Sequence, residues 1–185
     1  MKTFSTQKSM ALEIERRFLV AGEEWKISAS NSQHLRQGYL ASSKEGWTVR
    51  VRILREQTAW LTLKAPAGGI SRHEFEYLIP LADAESLWER APYKLSKTRY
   101  PLNINGNDWV IDCFKARNYP LIIAEIELTS PEQHFERPTW CYQEITSSQK
   151  LSNAALAQTP ISEWSPKALQ AIQNQANENN RPTDL

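Results

Sequence analysis

The chain has few cysteines, no long apolar run and almost no net charge, and each shortage excludes a class of protein. Cys113 and Cys141 are the only two cysteines among 185 residues, and they form no CxxC pair. That rules out a disulfide framework or a thiolate metal site and fits a reducing, cytoplasmic compartment. No apolar stretch approaches the length of a membrane span. The first ten residues are polar and lack the apolar centre of a secretory signal, so they read as a loose leader. Net charge is +1, so no global field attracts nucleic acid or a membrane surface. Any electrostatic function must come from local segregation of charge.

What the chain does have is charge placed with period two. In Glu13-Ile14-Glu15-Arg16-Arg17 the two carboxylates and Arg17 alternate with apolar or outer residues, just before Phe18-Leu19-Val20. A strand sends alternate side chains to one face, so Glu13, Glu15 and Arg17 share a face opposite Leu12, Ile14 and Phe18. The pattern recurs. Arg50 and Arg52 oppose Val49, Val51 and Ile53; Thr62 and Lys64 oppose Leu61 and Leu63; Arg72, Glu74 and Glu76 oppose His73, Phe75 and Tyr77. Later, Lys97 pairs with Arg99, Val110 with Asp112, and Glu125 with Glu127.

Turn signals separate these runs. Ser42 to Gly46, Pro66 to Gly69 and Asn105-Gly106 divide strands expected at 11–20, 35–41, 47–56, 59–65, 70–79, 94–104, 107–114 and 120–129. Helices are expected at 80–90, 131–137, 149–158 and 162–174, the first stopped by Pro92. The tail from Gln175 is polar and rich in Asn and reads as disordered. The expected organisation is one domain over 11–174, between the leader 1–10 and the tail 175–185. The expected fold class is α+β: an eight-stranded antiparallel β-barrel, a tunnel, with helices packed on the outside.

For one strand, an ionic face is ordinarily the wet side of a sheet. Repeated over the whole set, with Glu, Asp, Arg and Lys in place of the usual mixture, it points inward instead. Eight strands can close around a small ligand. Buried charges of one sign need a counter-ligand. Arginine forks and lysine ammonium groups match phosphate oxygens, and clustered carboxylates match a hard cation such as Mg²⁺. Together they describe a metal–triphosphate site. The histidines are scattered, with His73 on the apolar face, and Cys113 reads as a small core residue.

These residues resemble the CYTH superfamily, the triphosphate tunnel metalloenzymes, from Leu12 to about Ala157. Glu13-Ile14-Glu15-Arg16-Arg17 is similar to the ExExK signature. Val49-Arg50-Val51-Arg52, Leu61-Thr62-Leu63-Lys64, Arg72-His73-Glu74-Phe75-Glu76, Lys97-Thr98-Arg99, Ile111-Asp112, Glu125-Ile126-Glu127 and Leu151-Ser152-Asn153-Ala154-Ala155-Leu156-Ala157 follow in the family's order. The short form resembles bacterial inorganic triphosphatases. The resemblance implies hydrolysis of inorganic triphosphate (tripolyphosphate) to pyrophosphate and phosphate, with Mg²⁺ or Mn²⁺. It implies metal ligands at Glu13, Glu15, Asp112, Glu125 and Glu127, completed by Glu74 or Glu76. It implies phosphate contacts at Arg50, Arg52, Lys64, Arg72, Lys97 and Arg99, and catalytic roles for Glu15, Arg17 and Lys97. The expected partner is a small-molecule triphosphate, without nucleic acid or membrane, for a monomer or homodimer. The competing readings are a nucleotide or thiamine triphosphatase, a class IV adenylate cyclase, and a non-catalytic polyphosphate- or nucleotide-binding protein. The chain departs from the pattern twice: Arg17 stands where the family has lysine, and Thr146 to Leu151 replaces a stretch in which relatives carry an acidic residue and a tyrosine.

Overall fold

The computed structural model describes residues 11–42, 46–170 and 172. The leader 1–10 and the tail 175–185 lie outside the described residues. Nine antiparallel strands join in one sheet: β1 (Ala11–Val20), β2 (Gln33–Ser42), β3 (Thr48–Leu54), β4 (Thr58–Gly68), β5 (Ser71–Ile79), β6 (Tyr93–Ile104), β7 (Asn107–Phe114), β8 (Ile122–Glu127) and β9 (Cys141–Glu144). Their order is β5-β4-β3-β2-β6-β7-β8-β1-β9, and β1 also pairs with β5. That last pairing closes eight strands into a barrel, as the alternation had implied.

Strand β1 divides its outer edge between two partners. Ala11 to Ile14 pair with β5, from Glu74 to Ser71. Further along, Phe18 to Val20 pair with β9. Strand β8 lies on the other edge, with Arg17 opposite Glu125 and Glu15 opposite Glu127. The short ninth strand therefore takes over an edge that β5 leaves, which keeps the backbone donors of β1 satisfied. Asn105 and Gly106 make the β6–β7 turn at positive φ, 50° and 79°, the conformation a two-residue hairpin needs.

Most outward faces are apolar and covered, although Tyr77 on β5 stays exposed. Helix α1 (Leu81–Arg90) lies over β3 and β4, where Val51, Ile53, Ala59 and Ala84 form one cluster with Leu87 and Trp88. Gly38 permits this approach: a Cβ there would stand 2.9 Å from the Ala91 Cβ. A second cluster covers β1, β7 and β8 with Phe18, Trp25, Trp109, Ile111 and Ile126.

Three expected helices come out differently. Residues 131–137 are not helical; two prolines bracket a segment too short to nucleate a helix. Phe135 instead docks on Trp109 at 5.7 Å and on Phe18 at 6.2 Å between ring centroids. The stretch 149–158 breaks into a 3-10 turn, Gln149–Leu151, and α2, Asn153–Gln158. Ser152 separates them and caps α2 by accepting from the Ala155 N–H at 3.2 Å. Within 162–174, a 3-10 turn spans Ile161–Glu163 and helical residues run from 166 to 170.

The inward faces change character along the barrel. Following β1 inward, Glu13, Glu15 and Arg17 give way to Leu19; following β8, Glu127 and Glu125 give way to Ile123. Leu19, Tyr39, Leu95, Phe114, Leu121 and Ile123 form an apolar cluster with Ile145, Leu151, Leu156, Ala157 and Ile161 of the C-terminal segment. The lumen is ionic over part of its length, and the C-terminal segment packs into the rest.

Candidate functional site

The ionic part of the lumen encloses a cavity of about 200 Å³. Strand β1 lines it with Glu13, Glu15 and Arg17; β3 with Thr48, Arg50 and Arg52; β4 with Lys64; β5 with Arg72, Glu74 and Glu76. Arg99 comes from β6, and Glu125 and Glu127 come from β8. The alternation of each strand places these side chains, because a closed sheet turns one whole face inward. Every site residue expected from the sequence lines this cavity except Lys97 and Asp112. Arg36 on β2 points outward: its guanidinium pairs with Glu85 and Glu56 and lies 5.1 Å above the Trp88 ring centroid.

Lys97 and Asp112 stand behind Arg99. Both side chains have no exposed surface, and the Lys97 ammonium donates to Asp112 Oδ2 at 2.5 Å. Arg99 grips the same carboxylate with two prongs, Nε to Oδ1 at 2.8 Å and Nη2 to Oδ2 at 2.7 Å. Its Nη2 also donates to Glu125 Oε2 at 2.7 Å. Burial works against the Asp112 carboxylate, but Arg99 and Lys97 together hold its pKa well below the usual range. Its oxygens are thus spent on two cations inside the wall.

The cavity's own charges are paired across strands. Lys64 Nζ bonds Glu13 at 2.5 and 2.6 Å and lies 3.2 Å from Glu74. Arg52 donates to Glu76 at 3.0 Å, and Thr62 Oγ1 donates to the same carboxylate at 3.0 Å. Arg50 stands 3.5 Å from Glu74 and 3.8 Å from Glu76. The Nε groups of both Arg50 and Arg52 are buried and have no hydrogen-bond partner among the described residues. A buried unanswered donor costs roughly 1–3 kcal/mol, more on a charged group, so this pair is poised for an anion.

The carboxylates show the complementary signature. Burial, then Glu125 and Glu13, push Glu15 up to about 7, against the pull of Lys64 and Arg17. Like charges held together disfavour ionisation until a cation joins them. Among the described residues, no three carboxylate, imidazole or thiol groups converge on one metal position as they stand, because Glu13 turns to Lys64 and Glu125 to Arg99. The donor set itself, all oxygen and crowded in charge, fits a hard divalent cation.

Several lining residues escaped the sequence reading. Gln37 and Tyr39 share the inward parity of β2, but that strand has no acidic or basic pair to mark its face. Thr48 opens β3. Ser152, Asn153 and Ala154 reach the cavity from the cap and first turn of α2; Asn153 Oδ1 accepts from Lys97 Nζ at 3.1 Å. No local pattern announces that a segment so late in the chain returns to the lumen.

Comparison with known proteins places the chain in a family. A family model described as the CYTH domain matches residues 11–158. An inorganic triphosphatase of Acetivibrio thermocellus is 37% identical over 153 residues, 82% of this chain and 96% of that protein. An inorganic triphosphatase of Nitrosomonas europaea is 32% identical over 149 residues, 78% of this chain and 96% of that protein. A crystal structure of an inorganic triphosphatase superposes with a TM-score of 0.59 at 31% identity, covering 80% of this chain and 95% of the other.

Proposed function

The chain belongs to the CYTH domain family, and from that premise we propose that it hydrolyses inorganic triphosphate to pyrophosphate and phosphate with a divalent metal, Mg²⁺ or Mn²⁺. The observation that carries this reading is the pair of buried arginines, Arg50 and Arg52, with unanswered Nε donors. They face a cavity whose opposite wall crowds Glu13, Glu15 and Glu125. A ligand that is itself anionic and brings a cation answers both walls at once.

In this reading Arg50, Arg52, Lys64, Arg72 and Arg99 bind the phosphate oxygens. Arginine forks fix the orientation of the chain of phosphates, and Lys64 adds a point charge. Binding the anion draws Lys64 from Glu13, and Arg99 from Glu125, and frees those carboxylates. Glu13, Glu15, Glu125 and Glu127 would hold the metal, with Glu74 or Glu76 completing the acidic set. The metal, when bound, supplies charge neutralisation at the phosphates and a more acidic water. Water attacks the terminal phosphorus, the phosphoanhydride P–O bond breaks, and a carboxylate oxygen of the cluster takes the water's proton. Lys97 and Asp112 act from behind, fixing the Arg99 fork.

The relatives named as inorganic triphosphatases support the substrate, and the described residues that line the cavity are mostly charged or polar, with no apolar slot among them for a base or a thiazole. The test is phosphate release from tripolyphosphate, ATP and thiamine triphosphate, each with Mg²⁺ or Mn²⁺. We expect tripolyphosphate to be the preferred substrate and chelation to stop the reaction. Cyclic AMP formation, or a bound triphosphate that survives incubation with metal, would overturn the reading.

A further inference from the structure

Arg17 occupies the inward parity of β1 beside Glu15, where a charge is expected to meet the substrate. Its donors go elsewhere. The side chain is only 4% exposed. Nη1 donates to the Leu151 carbonyl at 3.0 Å, and Nη2 lies 3.4, 3.1 and 3.3 Å from the carbonyls of Ile145, Thr146 and Ser148. Nε stands 3.6 Å from Glu15 Oε1. The backbone of the same residue joins in: its N–H donates to Thr146 Oγ1 at 3.1 Å, and its carbonyl accepts from the Ile145 N–H at 2.8 Å. One arginine thus collects four carbonyls of a segment that belongs to no strand or helix over most of its length.

That segment leads directly to the cavity. Leu151 anchors it in the apolar cluster, Ser152 caps α2, and Asn153 accepts from Lys97, which in turn holds the Asp112–Arg99 pair. The two places where the chain departs from the family pattern, Arg17 and Thr146 to Leu151, are therefore in contact with each other.

We infer that Arg17 is a positioning residue: its guanidinium latches residues 145–151 to the barrel wall and so sets Ser152 and Asn153 at the cavity surface. It makes no direct contact with the triphosphate of the proposed function, on which the kinetic half of this inference rests. A lysine cannot replace it in this role. Its donors radiate from one nitrogen, whereas the guanidinium spreads its N–H groups over a planar fork and here reaches four carbonyls from two nitrogens.

The test compares Arg17→Lys with Thr146→Val, which loosens the same seam without altering charge. Hydrogen exchange of the ligand-free proteins is expected to accelerate about tenfold in peptides covering 145–152, with β1, β7 and β8 still protected. For tripolyphosphate, KM should rise roughly five- to tenfold in Arg17→Lys while kcat stays within about threefold. Thr146→Val should follow in the same direction with a smaller change. A fall in kcat with exchange over 145–152 unchanged would identify Arg17 as a group acting on the substrate and overturn the inference. A lower melting temperature with both kinetic constants and local exchange unchanged would reduce it to ordinary packing and overturn it equally. If the native protein releases no phosphate, the proposed function fails, and exchange alone decides the latch: unchanged protection in both variants defeats it.

Discussion

The two ends of one barrel interior make the instructive comparison. At one end Glu13, Glu15, Arg50, Arg52, Lys64 and Arg99 face a cavity. At the other, Leu19, Leu95, Phe114, Ile123 and Leu156 pack into one apolar cluster. Strands β1, β6 and β8 supply both with the same inward parity, through Glu15 and Leu19, Arg99 and Leu95, and Glu125 and Ile123, so on these strands backbone geometry is not what separates the two ends. Residue type is. Burying apolar surface stabilises by about 25 cal/mol per Å², whereas taking charges out of water costs several kcal/mol per ion before pairing offsets it. The apolar end holds the barrel shut, and that stability lets the ionic end remain crowded and partly unanswered.

Substitutions at the two ends should therefore separate activity from stability. The largest effect is expected from Glu15→Gln. It should lower phosphate release from tripolyphosphate by on the order of 10²–10³-fold, the size seen when one stabilising group is removed from an active site. The melting temperature should hold or rise, because a crowded carboxylate is removed. A large loss of stability in this variant would break the division of labour. Next comes Leu156→Ala, from the apolar end. It should cost roughly 2–5 kcal/mol in urea unfolding and leave KM for tripolyphosphate almost unchanged in the folded protein.

The smallest effect sharpens the contrast between inside and outside. Arg16 follows Glu15 on β1 but points outward, donating from Nε to Glu144 at 2.8 Å on β9. Both side chains are 35% exposed. Arg16→Ala should cost less than about 1 kcal/mol. The hydrogen bond to Arg16 holds the Glu144 carboxyl below its ordinary pKa. The pair's contribution is thus present above the ordinary glutamate range and fades as pH falls through the depressed folded value. Urea unfolding of both proteins at neutral and acid pH should show the small difference vanish in acid.

Much of the site was legible because a strand's period is two and a closed barrel has only one inside. Glu13 with Glu15, Arg50 with Arg52, and Glu125 with Glu127 announced a shared face by spacing alone. Lys97 and Asp112 carried the same spacing, yet they sit within the wall, since parity tells which face a side chain takes and not how deep its neighbours bury it. Gln37, Tyr39 and Asn153 were missed for the opposite reason: they are uncharged or lie outside a strand. The ninth strand, Cys141–Glu144, was missed because four residues without alternation leave no period to read, and only the free edge of β1 gives it a partner.

The sequence by itself determined the barrel strands, their inward faces and the ionic character of what they enclose, since alternation is a local property of the chain. The tertiary structure decided what long-range contact alone can decide. It split the outer edge of β1 between β5 and β9, and it placed Asp112 between Lys97 and Arg99. It also folded residues 145–161 back into the lumen, where four backbone carbonyls, invisible in any residue pattern, engage the guanidinium of Arg17.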